Sequence, residues 1–167
     1  MTAAKLLTTA EAAKVLTRVS GRQCSPHRVR RLLVTAGLGT ELQSRRQGQT
    51  RLFGSRDLAI VRTALELERQ GVSAWVAKVV LTYLRDDLVR AFKSAAPVAL
   101  AVTGVRGSLA PALRARPSSA MAYVPLREVW KGLDAEIAAI RDAKPTVWMW
   151  AEVPCHAVKR STSGYVA

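Results

Sequence analysis

The sequence predicts a mainly α fold: four helices and one basic β-hairpin, followed by a small α/β module. Three observations predict it. Apolar residues recur at helical spacing up to residue 93, with one basic interruption. A break follows at Ser94-Ala95-Ala96-Pro97, since proline cannot continue a helix. Strand and helix patterns alternate beyond it. The 167 residues thus divide into a helical part, 1–93, and a smaller part, 97–167, and 49% apolar content suffices for a buried core.

Thr8-Thr9-Ala10-Glu11 has the spacing of a capping box, and Ala12, Val15, Leu16 and Val19 follow as one helical stripe that Gly21 interrupts. Arg18 and Arg22 then read as part of an extended turn, Thr17 to Cys24. Ser25-Pro26 starts a second helix, with Ser as the cap and Pro at the first helical position. Its apolar stripe is Val29, Leu32, Leu33 and Ala36; its other side carries His27, Arg28, Arg30 and Arg31; Gly37 ends it. Leu42 and Thr50-Arg51-Leu52-Phe53 read as two short strands around a turn at Gln47-Gly48. Helix three opens at Ser55-Arg56-Asp57, with Leu58, Val61 and Leu65 on one stripe and Ile60, Ala64 and Leu67 beside it. Gly71 ends it. Ser73 caps a fourth helix running through Leu88, whose apolar face is broader than one neighbour needs.

In the second part, Val98 to Val102 and Ala120 to Val124 read as strands, and Gly104 to Ser119, rich in Gly, Pro, Arg and Ser, as a loop. Leu126 to Ala143 reads as one amphipathic helix on Val129, Leu133, Ile137 and Ile140, stopped by Lys144-Pro145. Val147 to Val153 alternates as a strand, and the last dozen residues are polar.

The charge balance narrows the function. There are 26 Lys+Arg against 12 Asp+Glu, net +14, and 19 of the cations are Arg. Such a field favours polyanions. Residues 1–93 carry +10 and residues 94–167 only +4, and the stretch 18–56 holds nine Arg and one acid, Glu41. A merely solvated face rarely concentrates cations to that degree. Several classes are excluded. No apolar stretch approaches the ~20 residues of a membrane span. No uninterrupted apolar segment suggests a secretory signal, and two cysteines, Cys24 and Cys155, make no disulfide framework. The expected location is cytoplasmic and nucleoid-associated. No nucleophile elbow, phosphate loop or paired carboxylates suggest an enzyme.

Two helices around a turn, a Gly-Arg hairpin and two further helices are the order of a winged helix-turn-helix. A helix enters the major groove with side chains on base edges, and a basic loop lies along phosphates. Here the first role falls to Ser25, His27, Arg28, Arg30 and Arg31, and the second to Arg45, Arg46, Gln47, Thr50 and Arg51. The segment then resembles the MerR-like DNA-binding domain over residues 6–90. The resemblance rests on Arg51-Leu52-Phe53, Asp57-Leu58, and Gly71-Val72-Ser73 with Val76, and on Gly37-Leu38 after the second helix. It implies duplex DNA as partner, and on its register Arg31 matches the characteristic Arg of the recognition helix. Leu32 and Leu33 stand where that family has two Tyr, and Phe53 where its wing has Tyr. The Thr17–Cys24 segment is longer than the family's tight turn, and no long heptad helix follows residue 93.

The expected function is sequence-specific binding of double-stranded DNA, as a transcriptional regulator dimerised on a palindrome, without cofactor. Two alternatives stand beside it. One is an architectural factor of a mobile element, such as an excisionase, terminase small subunit or plasmid-partition adaptor. The other is an adaptor whose residues 97–167 bind a protein or small molecule. Trp130, Trp148 and Trp150 read as core or subunit interface, or as the lining of an effector pocket. Cys155-His156 with Cys24 and His27 reads as incidental rather than as a metal site.

Overall fold

The structure, a computed structural model, describes residues 6–35, 46–47, 50–94, 97–111 and 118–142. Within them, helices combine with two small antiparallel sheets. Helix α1 spans Thr9–Ser20, and its capping box forms as its spacing requires. The Glu11 amide donates to Thr8 Oγ1 at 3.3 Å, and Glu11 Oε2 accepts the Thr8 amide at 2.7 Å. Gly21, in the left-handed region at φ +65°, ends it.

The turn to helix α2, Pro26–Thr35, is therefore only residues 21–25, not the extended Thr17–Cys24 segment the composition suggests. The reason is local. Thr17 Oγ1 donates to the Ala13 carbonyl at 2.8 Å and accepts the Cys24 amide at 2.9 Å, which folds the turn back on its own helix. Arg18 is accordingly helical and pairs with Glu136 at 3.1 Å. Ser25 caps α2 as expected, accepting the Arg28 amide at 3.2 Å.

Strands β2 (Arg46–Gln47) and β3 (Thr50–Phe53) form the hairpin, with Arg46 opposite Arg51 and Gln47 opposite Thr50. The strand expected near Leu42 lies outside the described residues. On β3's other edge, strand β1 (Leu7–Thr8) pairs Leu7 with Phe53. Two residues before a helix carry no periodicity, so β1 has no sequence signal. Phe53 is wholly buried, which accounts for a ring without a hydroxyl there.

Helix α3, Ser55–Arg69, is covered on almost every side: both of its expected stripes are buried, from Leu58 to Leu67. The Asp57 carboxylate accepts the Gly54 amide at its start, at 2.7 Å. Gly71, at φ +83°, ends the connection, and Ser73 caps helix α4, accepting the Val76 amide at 3.3 Å.

The fourth helix does not run through Leu88. Helix α4 covers Ala74–Tyr83, and a separate helix α5, Arg85–Lys93, follows a break at Leu84. Asp86 and Asp87 suit a new N-terminus, where the helix dipole favours anions.

Strands β4 (Val98–Thr103), β5 (Arg106–Pro111) and β6 (Ala122–Pro125) form the second sheet, in the order β5-β4-β6. The loop expected over Gly104–Ser119 is thus corrected: residues 106–111 pair along the whole of β4. Gly and Pro mask the strand, yet Gly107 has a packing reason. A Cβ there would collide with Val80 of α4. The single helix expected over 126–143 is two, α6 (Leu126–Trp130) and α7 (Leu133–Asp142), separated by Gly132 at φ +79°. The strand expected at Val147–Val153 lies outside the described residues.

One buried core runs from Leu7, Leu16 and Leu33 through α3 to Leu100, Val124, Trp130 and Ile137, and so draws on both stretches of the chain. Two polar links reinforce it. Trp130 Nε1 donates to Ala59 O and Thr63 Oγ1, each at 3.0 Å. The Gln70 side-chain amide meets the Tyr123 backbone at two points, each 2.9 Å, standing in for a neighbouring strand on β6. No helix among the described residues is long and apolar enough to cross a membrane. Gln70→Ala removes both of these hydrogen bonds to Tyr123 and is expected to cost about 1–3 kcal/mol in chemical denaturation.

Candidate nucleic-acid interface

Helix α2 packs through Val29, Leu32 and Leu33, all essentially inaccessible. That fixes what the opposite side presents. His27, Arg30, Arg31 and Val34, at helical spacing i, i+3, i+4, i+7, are exposed, Val34 at 58%. Ser25 is exposed but already engaged as the cap. Arg28 lies on the boundary between the two sides and is half-buried.

Two of the expected binding residues converge on one carboxylate. Glu68 of α3 accepts from Arg28 Nη2 at 3.0 Å and from Arg31 Nη2 at 2.6 Å. Sequence reading missed Glu68, because its partners lie 40 and 37 positions away. Val34 was also missed, although its spacing from His27 could have found it. The hairpin places the backbones of Arg46, Gln47, Thr50 and Arg51 in register; their side chains, and Arg45 altogether, lie outside the described residues. Helix α1 packs against both α2 and β3, so one helix supports both candidate elements.

The remaining candidates separate. Trp130 is core, edge-on to Phe92 at a centroid distance of 5.3 Å, and also borders a cleft of about 530 Å³ with Leu126, Lys131 and Asp134. Trp148 and Trp150 lie outside the described residues, as do Cys155 and His156. Cys24 is buried, and burial pushes its thiol upward, opposed by Arg28 and assisted by Glu68. No three metal-ligating side chains gather among the described residues. On α4, Ala77, Val80 and Leu81 are buried while Trp75 (63% exposed), Val79 and Tyr83 (84%) face solvent.

Beside Glu68, Glu66 is buried. Burial pushes its pKa up, but hydrogen bonds from Arg69 (2.8 Å) and Gln70 (3.1 Å), and the charges of Arg69 and Arg62, outweigh that and hold it below the ordinary range.

Comparison of the chain with protein-family models, with curated proteins and with solved structures gives no match.

The lowered Glu66 value has a signed consequence. A carboxylate more acidic when folded adds stability above its unfolded pKa, about 4.3, and that stability is lost as pH falls through the lower folded value. Denaturation across this window is expected to show wild type converging on Glu66→Gln as pH falls, with wild type more stable at neutral pH.

Proposed function

We propose that the chain is a sequence-specific double-stranded DNA-binding protein: a transcriptional regulator of MerR-like, winged helix-turn-helix type, dimeric on a palindromic site. One observation carries the reading. After a turn of five residues, α2 buries Val29, Leu32 and Leu33 and leaves His27, Arg30, Arg31 and Val34 exposed on its other side. A helix so displayed fits the major groove. Arginine forks pair with guanine edges, and a valine suits a thymine methyl group. Arg28 and Ser25 would meet the backbone near the helix start. The hairpin at 46–53, in a stretch with Arg45, Arg46 and Arg51, takes the phosphate-positioning role.

The Glu68 pairs are compatible with this role. The Arg31–Glu68 pair is exposed, and such pairs are worth about 0–1 kcal/mol, so guanine can take Arg31 from the carboxylate at small cost. A twofold dimer would set two α2 helices about 34–36 Å apart on one face of the duplex.

Fluorescence anisotropy on labelled duplexes tests the reading. Affinity is expected to fall steeply with salt. Arg31→Ala should cost about 1–3 kcal/mol on the preferred site and relax its sequence preference, whereas Arg46→Ala should weaken all duplexes alike and lower the salt slope by about one. If both variants bind like the parent, the reading is wrong.

A further inference from the structure

Behind the α2 face lies a second cationic feature. Arg62 of α3 has only 12% of its side chain exposed. Its Nη1 is 3.9 Å from Glu66, beyond hydrogen-bond reach, and its buried Nε–H has no acceptor. Glu66 cannot do more for it, being occupied by Arg69 and Gln70. Arg28 repeats the pattern: Nη2 donates to Glu68, while Nε is buried and unpartnered. Both guanidinium groups line one cleft of about 590 Å³, between the α1–α2 turn and α3, together with Arg22 and Arg69. Four guanidinium groups there face two carboxylates, Glu66 and Glu68, and Glu68 is shared with Arg31 outside it.

Burying a cationic donor without an acceptor is costly, so such a group marks a place where an anion gains most. The side-on fork of arginine uses Nε–H and one Nη–H together, which matches two oxygens of a phosphate. At Arg28 and Arg62 the Nε half of that fork is unused. Burial also pushes the Arg62 guanidinium below its ordinary value, against the pull of Glu66 and with Arg69 adding to the fall; an anion would relieve this.

We propose that this cleft is a binding site for a small phosphate-class oxyanion, carried by a phosphorylated small molecule. The volume falls within the usual range for small-molecule sites, about 300–1,000 Å³. A phosphate of the DNA backbone has the same chemistry, but a rigid duplex presents it on a convex surface, whereas Arg62, with only 12% of its side chain exposed, lines a cleft. The site stands independently of the DNA-binding reading, since it needs only the isolated chain.

The test is calorimetric titration of the full chain, without DNA, using inorganic pyrophosphate at physiological salt, with a parallel reading of the thermal midpoint. Saturable binding with a raised midpoint is expected. Arg62→Met, which keeps the apolar stem, and Arg22→Ala, at an exposed position, should each weaken it about tenfold or more. Arg62→Met should leave duplex affinity unchanged. No saturable binding, or equal binding by both variants, overturns the proposal. So does lost duplex affinity in Arg62→Met without pyrophosphate binding, which would assign the cleft to a backbone phosphate. If Arg62→Met does not fold, Arg22→Ala alone decides.

Discussion

Helix α3 is buried on nearly every side from Asp57 to Leu67, and a helix with that much hidden surface is stable only when enclosed. The rest of the described structure follows from enclosing it. Helices α1, α2, α4, α5, α6 and α7 and strand β6 all pack against it. Three of its polar side chains take specific duties. Thr63 receives the Trp130 indole, Glu66 gathers Arg69 and Gln70, and Glu68 reaches out to α2. Buried polar groups tolerate few arrangements, so these contacts set register as well as adding stability.

That enclosure links the core to the surface proposed to bind DNA. Val29, Leu32 and Leu33 commit one side of α2 to the interior, which leaves the orientation of His27, Arg30 and Arg31 no freedom about the helix axis. Glu68 then draws Arg28 and Arg31 toward α3. The cation-rich side is thus positioned by packing and trimmed by a single acid. Such a partner shortens the search of two long side chains without neutralising the +14 field of the chain.

Features that depend on neighbouring residues were legible in the sequence. The Thr8–Glu11 box, the Ser25 and Ser73 caps and the stops at Gly21 and Gly71 are short-range chemistry, and each forms. The two stripes of α3 and the division of α2 into apolar and cationic sides were equally readable. What failed depended on distant partners. Strand β5 hides behind glycine and proline, and Gly107 makes sense only once Val80 lies above it. The helix continuing through Leu84, and the one through Gly132, kept their apolar periodicity across the break, so pattern alone could not find either. In the candidate site, exposure of His27, Arg30 and Arg31 was foreseeable; the tie of Arg28 and Arg31 to Glu68 was not, because a carboxylate on another helix leaves no mark near its partners. Arg18, taken for a turn residue, is helical because the Thr17 hydroxyl closes the turn later.

In the proposed complex the outward side of α2, anchored on α3, grips a double helix together with the hairpin. Amide hydrogen exchange, with and without a short random-sequence duplex, addresses it most directly. Slower exchange is expected within residues 25–35 and 46–53, with little change on α4 or the β4–β5 hairpin. Protection confined to those latter elements, with residues 25–35 exchanging as in the free chain, would contradict it.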